Sequence, residues 1–219
     1  YTVLGMLLVN FAGDFAAAWS QLKHGNGYFT LADSIMPSFV FCAGFSYRLT
    51  ALRRFAELGP SRARWSYMRR SFALIATSIM IYGFNGSLGN WRQMTDWSKL
   101  GEAWQNFLLK FLKGGMWEIL AIIGVTQLLL LPIIHRGFRT RLIAAVLFPL
   151  AHLWLSWWFN YNFAHRLPSD LDALVGRIRG GMWDGGFFGP ISWALPMLAG
   201  TLTYDLVAAR GVKRAWLPL

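Results

Sequence analysis

The stretch LADSIMPSFVFCAGFSYRLT, residues 31–50, has the length and composition of a helix that crosses a membrane. A spanning helix needs about 20 mostly apolar residues. Asp33 stands at the start of this stretch and Arg48 near its end, so no charge interrupts the apolar run between them. We predict a transmembrane helix over residues 31–50.

Five other segments of the 219-residue chain pass the same test. The chain is 55% hydrophobic and only 14% charged, which is too apolar for a soluble globular domain of this size. We therefore predict an all-α fold, a polytopic membrane helix bundle that forms a single transmembrane domain over residues 1–219, surrounded by membrane lipids, with about six transmembrane helices. The other predicted spans are residues 1–19, 70–87, 116–134, 142–159 and 189–209.

Two further stretches, EAWQNFLLKFLKGG (102–115) and SDLDALVGRIRGG (169–181), carry apolar residues at helical spacing. Trp104, Phe107 and Phe111 lie on one side of the first stretch. Both stretches are too short or too polar to cross a bilayer. We predict two outer-side amphipathic helices, which either lie in the membrane interface or roof a cavity between the spans.

The basic residues account for a net charge of +11. They lie in short clusters between apolar runs, which is typical of membrane topology, so we expect no nucleic-acid partner. The clusters alternate along the chain so that they share the cytoplasmic side. This places the start of the first span and the C-terminus in the cytoplasm and the loop that holds His24 outside. The clusters are Arg53, Arg54, Arg62, Arg64 and Arg69, then Arg136, Arg139 and Arg141, then Arg210, Lys213 and Arg214, with Arg48 and Arg70 at the flanks.

Polar side chains near the outer ends of the first two predicted spans are functional candidates, because such groups are costly inside a membrane. Asn10 and Asp14 are four residues apart in the first span and so share one helix face. His24 follows in the next loop, and Asp33 begins the second span. The spacing allows these four side chains to converge on one outward-side pocket.

His24 and Asn10 each have two interpretations. A neutral imidazole can take a proton from an attacking amine or accept an acyl group itself, whereas a loop histidine can also be an ordinary surface residue. Asn10 is either an amide that hydrogen-bonds between helices or a donor to a developing oxyanion.

Asp33 has a structural interpretation of its own. In TLAD, residues 30–33, a threonine is followed three places later by an acidic residue, the pattern of a capping box at a helix start. The carboxylate also complements the helix dipole. Orientation of His24 by Asp33 is compatible with this capping role.

Arg69 and Arg70 begin the third predicted span beside the earlier arginines. Guanidinium groups suit phosphate oxygens, so this pair can hold a phosphorylated cofactor such as coenzyme A that enters from the cytoplasm. The alternative is that the pair only marks topology. Glu118, Gln127 and Asp205 remain packing or lining candidates, and no cysteine and histidine spacing indicates a metal.

Three blocks of the sequence carry a family resemblance. LGMLLVNFAG (4–13), KHGNGYFTLADSIMPSFVFCAGFSYRLT (23–50) and RRSFALIATSIMI (69–81) resemble the heparan-α-glucosaminide N-acetyltransferase family and its short bacterial relatives. The shared features are an asparagine that ends an apolar segment, a lysine-histidine pair, and an ADxxxPxFxFxxG stretch. The resemblance is clear over residues 1–135 and weaker over 136–219.

The resemblance implies a transmembrane acetyltransferase of the bacterial plasma membrane. Acetyl-CoA would be the co-substrate on the cytoplasmic side, an amino sugar would accept the acetyl group on the other side, and no metal is implied. By position, His24 matches the family's catalytic histidine and Asn10 its partner, with Asp33 in the same motif. Arg69 and Arg70 would contact the cofactor.

A second hypothesis comes from the length of the chain, which is about half that of the full-length family members. The chain would then be a non-catalytic, acyltransferase-derived subunit packed in a larger membrane complex or a homo-oligomer. Its tryptophan-rich faces would contact partner helices or lipids.

Overall fold

The computed structural model describes residues 2–12, 19–23, 29–83, 101, 104, 107–108, 111–112, 117–159 and 185–210. Within these ranges every regular element is helical and no strand occurs. A 3-10 turn covers Ser20–Leu22, and a π-helical turn covers Ile79–Gly83. The α-helices are α1 (Thr2–Ala12), α2 (Leu31–Leu58), α3 (Pro60–Ser78), α4 (Ile119–Leu130), α5 (Phe138–Phe159), α6 (Gly189–Ser192) and α7 (Ala194–Arg210).

Two helices of the described part are long and apolar enough to cross a membrane. They are α2, with 28 residues, and α5, with 22 residues. Each contains a predicted span, and α2 begins at Leu31, where the span was expected to begin. α4 is strongly apolar but has only 12 residues. The all-helical prediction is thus confirmed for the described residues, and the membrane prediction is supported by two helices rather than six.

Several predicted boundaries are wrong. α2 continues to Leu58 and α3 begins at Pro60, so the basic stretch expected to join two spans is helical on both sides of Gly59. The last predicted span is divided at Trp193 into α6 and α7. Of the amphipathic stretch 102–115 only single residues are described, and those are helical; the stretch 169–181 lies outside the described residues.

α2 and α7 form the most extensive helix contact, and two glycines make it possible. A Cβ atom built on Gly44 would overlap the carbonyl oxygen of Met197, and one on Gly200 would overlap the carbonyl oxygen of Phe41. Small residues at a crossing let two backbones approach closely, as in membrane helix pairs. This contact brings the middle of α2 against α7.

The buried core lies where α2, α3, α4 and α7 meet. Tyr47, Tyr67, Leu130, Met197 and Leu198 are almost fully buried there. α4 is buried on most of its surface, whereas α5 turns a long apolar face outward. That face includes Leu142, Ile143, Val146, Leu147, Leu150, Leu153, Trp154, Trp157 and Trp158, all exposed.

Candidate functional site

A buried ionic cluster joins α2, α5 and α7 at one end of the bundle. Arg48 donates to both carboxylate oxygens of Asp205, from Nε at 2.9 Å and from Nη2 at 3.3 Å. Arg141 donates to the same carboxylate from Nη2. Arg141 is fully buried and Arg48 is 7% exposed, whereas the Asp205 side chain is 22% exposed, so both guanidinium groups are interior and the carboxylate lies nearer the surface.

Backbone carbonyls accept the other donors of the two guanidinium groups. Arg48 Nη1 donates to Ile134 O, and Arg141 donates to Thr201 O at 2.9 Å and to Arg136 O at 3.3 Å. Buried charges are tolerated when they are paired and hydrogen-bonded in this way. The ionic cluster is therefore a structural connection between three helices and the turn that follows α4.

The sequence interpretation of Arg48 and Arg141 was incomplete. The sequence pattern assigns both to the residues that mark membrane orientation and makes Asp205 a packing or lining candidate. The structure shows that Asp205 packs between the two arginines. No local pattern could reveal this, because 157 residues separate Arg48 from Asp205.

A basic groove lies on α3, lined by Arg62, Trp65, Ser66, Arg69 and Arg70. These five residues follow the spacing i, i+3, i+4, i+7 and i+8, which places them on one helix face. The groove encloses about 450 Å³, and its arginines are exposed. The sequence shows this spacing, but the five residues share a helix face only because α3 begins at residue 60 and not at residue 70.

A second space, the α2–α4 cavity, lies between α2, α3 and α4 and encloses about 440 Å³. Its walls are mainly apolar, and they include Phe39, Leu74, Leu120 and Ile123. Arg70 lines this cavity as well as the basic groove. Arg70 therefore borders both spaces.

Gln127 of α4 also lines the α2–α4 cavity, although it is only 5% exposed. Its backbone oxygen accepts a hydrogen bond from the Tyr47 hydroxyl at 3.1 Å. Its side-chain Oε1 is buried and has no hydrogen-bond partner within the described ranges. A cavity of this size with apolar walls and a few polar groups is typical of a small-molecule site.

The predicted capping box at the start of α2 is confirmed. Thr30 donates from its backbone nitrogen to Asp33 Oδ2 at 3.0 Å, and Asp33 donates from its backbone nitrogen to Thr30 Oγ1 at 3.3 Å. The Leu31 amide donates to Gln21 Oε1 at 3.2 Å, which connects the chain before residues 24–28 to the chain after them. The helix start is thus fixed locally, as the TLAD pattern indicated.

The other predicted site residues fall in separate places. His24 lies outside the described residues, and Asn10 lies in α1, where only its backbone is described. Asp33 stands at the N-terminus of α2, whereas Arg69 and Arg70 line the groove on α3. Asp33 does not line the α2–α4 cavity, so the structure does not bring it together with the arginine pair.

His135 is a titratable residue beside the ionic cluster that sequence reasoning did not single out. Its ring stacks on Phe55 with the centroids 5.4 Å apart. Burial lowers the pKa of His135, and the positive charges of Arg136, Arg64 and Arg48 lower it further. Its Nδ1 is buried without a hydrogen-bond partner in the part of the chain that the structure describes. His135 therefore favours the neutral form.

No protein-family model, curated protein or solved structure matches the chain. The described residues contain no group of three or more histidine, cysteine, aspartate or glutamate side chains that could hold a metal ion. The basic groove and the α2–α4 cavity are the candidate site within the described residues.

Proposed function

We propose that this chain is an integral membrane acyltransferase that takes the acetyl group from acetyl-CoA bound at the basic groove. The observation that supports the proposal is the position of Arg70, which borders both the groove and the α2–α4 cavity. A donor with a phosphorylated head and a long, mostly uncharged arm needs two spaces that adjoin in this way.

The groove has the chemistry that such a head requires. Arg62, Arg69 and Arg70 can bind phosphate oxygens through charge-assisted hydrogen bonds. Trp65, with 60% of its surface exposed, lies among them and offers a ring on which a purine base can stack. Because the arginines are exposed, a head group can reach them from solvent.

The proposed reaction is acetyl transfer to the amine of an amino sugar. The amine nitrogen attacks the thioester carbonyl, and His24 takes the proton that the amine loses. Asn10 stabilises the oxyanion, the carbon–sulfur bond breaks, and the CoA thiolate leaves and is protonated. Asp33 contributes by fixing the helix start that follows His24, through its capping box with Thr30.

The length of the donor arm matters for this proposal. Ser46, which lines the cavity, lies thirteen positions after Asp33 on α2. At the helical rise this is about 20 Å. The α2–α4 cavity follows α2 from Phe39 to Thr50, about 16 Å of helix. The arm would lie in this cavity and carry the acetyl group toward the end of α2 where Asp33 lies.

We place the basic end of the bundle on the cytoplasmic side of a bacterial plasma membrane and the His24 loop outside. Arg48 and Arg141 both contact Asp205, so the parts of α2, α5 and α7 that carry them share one side. An excess of arginine and lysine on one side is typical of the cytoplasmic face. The acceptor amino sugar would then bind on the outer side.

Purified protein in nanodiscs, incubated with radiolabelled acetyl-CoA and a panel of amino sugars, tests the proposal. We expect wild type to transfer label and His24→Ala to lose transfer. Replacing both groove arginines, Arg69→Gln with Arg70→Gln, should raise the KM for acetyl-CoA much more than it changes kcat, because these residues bind the donor remote from the reacting carbonyl.

Arg64→Gln is the matched control, because Arg64 is an exposed arginine of the same helix that does not line the groove. It should leave the KM unchanged. Equal transfer by wild type and His24→Ala, or equal KM values for the double variant and the Arg64 control, would show the assignment to be wrong.

The outward face of α5 favours a second candidate, a non-catalytic subunit of a larger membrane complex or a homo-oligomer. Leu150, Trp154, Trp157 and Trp158 are each more than half exposed on this helix. Such a face suits lipid tails or a partner helix. Mass measurement after extraction in a mild detergent distinguishes the subunit from the acyltransferase. A stoichiometric partner together with an absence of acetyl transfer would favour the subunit.

A further inference from the structure

Ser66 places a hydroxyl among the arginines that line the basic groove. Its Oγ accepts a hydrogen bond from Arg54 Nη1 at 2.6 Å. A hydroxyl has one O–H donor besides its acceptor lone pairs, so this contact leaves the O–H unused. The helical hydroxyls of Ser38 and Thr50 donate to a carbonyl one turn earlier, whereas within the described ranges Ser66 makes no such bond. The Ser66 O–H is therefore available to a ligand in the groove.

Arg54 lies on α2 and is not one of the residues that line the groove. Its guanidinium carbon lies 5.4 Å from the centroid of the Tyr67 ring, which is a cation–π contact. Tyr67 is almost fully buried, and its hydroxyl donates to Thr50 Oγ1 at 3.0 Å. A planar guanidinium can stack on a ring and still donate from its edge. The core thus positions Arg54, and Arg54 positions the Ser66 hydroxyl and polarises its O–H.

The donors of the groove fit a phosphate monoester better than a diester. Arg62, Arg69 and Arg70 can donate charge-assisted hydrogen bonds to phosphate oxygens. A monoester offers three terminal oxygens and carries more negative charge than a diester, which offers two. When guanidinium groups occupy two oxygens, only the monoester has a third oxygen left for the Ser66 O–H.

We propose that the basic groove selects a phosphate monoester, whose third oxygen accepts the Ser66 O–H, and that Arg54 is the positioning residue for this hydroxyl. The inference rests on the proposed function, because it names the phosphate group that the same groove selects. A soluble nucleotide, such as the head of acetyl-CoA, and a lipid headgroup can both supply a phosphate monoester.

The test compares two nucleotides that share the base and the ribose and differ in the phosphate. Adenosine 5′-monophosphate (AMP) carries a monoester, and adenosine 3′,5′-cyclic monophosphate carries a diester. Binding to the protein in phosphatidylcholine nanodiscs is measured by calorimetry, with empty nanodiscs subtracted. We expect wild type to bind AMP more tightly than the cyclic nucleotide.

Two variants of Ser66 isolate the hydroxyl. Ser66→Ala should weaken AMP binding about tenfold, the value of one hydrogen bond to a charged group, and should leave the cyclic nucleotide nearly unchanged. Ser66→Thr keeps a hydroxyl and should bind AMP nearly as well as wild type. AMP binding that Ser66→Ala leaves unchanged would overturn the monoester site, and a Ser66→Thr variant as weak as Ser66→Ala would count against the hydroxyl.

A double-mutant cycle tests the positioning role of Arg54. Arg54→Gln should weaken AMP binding about threefold or more when Ser66 is present. In a Ser66→Ala background it should weaken binding no more than Arg64→Gln does, since Arg64 is an exposed arginine outside the groove. Equal weakening by Arg54→Gln in both backgrounds would show that Arg54 does not act through Ser66.

The lipid composition of the nanodiscs distinguishes the two sources of a monoester. Part of the phosphatidylcholine is replaced by phosphatidic acid, a monoester, or by an equal fraction of phosphatidylglycerol, a diester. Loss of Ser66-dependent AMP binding with phosphatidic acid alone would assign the groove to a lipid phosphate and remove the nucleotide from it. Equal effects of the two lipids would keep the nucleotide as the ligand.

Acetyl transfer is measured separately, so the inference and the proposed enzyme can fail independently. AMP binding that depends on Ser66, without acetyl transfer, would leave the monoester site standing and remove the acyltransferase. Acetyl transfer whose KM for acetyl-CoA is the same in wild type and Ser66→Ala would do the reverse.

Discussion

The same residue type serves two purposes at the basic end of this molecule. Arg48 and Arg141 are buried and share one carboxylate, Asp205, whereas Arg69 and Arg70 are exposed and line an open groove. All four belong to clusters that sequence alone assigns to membrane orientation. An arginine beside an apolar segment can therefore have either role. It is buried in an ion pair where an acidic residue from another helix contacts it, and it is exposed to solvent where none does.

Burial also changes how much each arginine contributes to the stability of the fold. A buried arginine is stable only while its partners remain, since an uncompensated buried charge is strongly unfavourable. An exposed arginine loses little when its neighbours change, because water solvates it. The buried arginines therefore stabilise the fold, whereas the exposed arginines remain available to a ligand. Four experiments test this difference between buried and exposed arginines.

The largest effect is expected for Asp205→Ala. Removing the carboxylate leaves Arg48 and Arg141 buried together without a counter-charge, and we expect a loss of about 3–5 kcal/mol in the free energy of unfolding. The matched control is Glu57→Ala, which removes the partner of Arg53 from an exposed ion pair of 2.7 Å. Because both partners are exposed to solvent, that change should leave the free energy of unfolding nearly unchanged. Denaturant titration in detergent measures both, and similar losses for the two variants would contradict the comparison.

Arg48→Lys tests whether the geometry of the guanidinium matters as well as its charge. Lysine keeps the charge but loses the two-point contact with Asp205, so we expect a loss of about 1.5–3 kcal/mol in the free energy of unfolding. Arg69→Lys is the paired change at an exposed arginine and should lie within about 0.5 kcal/mol of wild type. Thermal melting followed by circular dichroism resolves this difference. An Arg69→Lys loss as large as that of Arg48→Lys would mean that Arg69 also supports the fold.

Arg69→Gln should act on binding rather than on stability. We expect about tenfold weaker binding of coenzyme A, measured by competition with a labelled analogue, and an unchanged melting temperature. Added salt should weaken this binding in wild type, because the groove is exposed and its charges are screened. Salt should have little effect on the contribution of Asp205 to stability. Binding that is insensitive to salt would argue against a charged head group in the groove.

The smallest effect is expected at His135, which lies beside the buried arginines. Because burial and the nearby arginines lower its pKa below the ordinary value of 6.5, the unfolded chain binds a proton more readily than the folded protein. The contribution of His135 to stability is therefore complete above that ordinary value and is lost as the pH falls through the folded pKa. His135→Phe, which can keep the stacking on Phe55, should flatten this part of the pH profile of the melting temperature. An unchanged profile would show that His135 does not titrate in this way.

Local patterns predicted local structure well in this chain. The capping box of Thr30 and Asp33 was expected from four residues, and the structure contains both of its hydrogen bonds. The start of α2 and the apolar character of α5 were likewise predicted, because both follow from composition over a short window. The limits of α3 were missed, since its first turns are basic and a search for apolar segments excludes them.

Contacts between residues far apart in the sequence were not predictable from local patterns. The approach of Gly44 to α7 and the pairing of Asp205 with two arginines depend on how helices cross, which apolar periodicity does not encode. The same holds for Gln127, which sequence left as one of several polar residues near a span. Its burial and its place beside the α2–α4 cavity follow from the packing of α2, α3 and α4.

The amino-acid sequence by itself determined the helical character of this protein, the apolar helices α2 and α5, the cap at Thr30 and the grouping of its basic residues. These features rest on interactions within one or two helical turns or on composition. Only the tertiary structure decided which arginines are buried with Asp205 and which line the basic groove, and only it placed Gln127 at a cavity wall. The physical reason is that burial and charge pairing depend on neighbours in space, and here those neighbours lie on different helices.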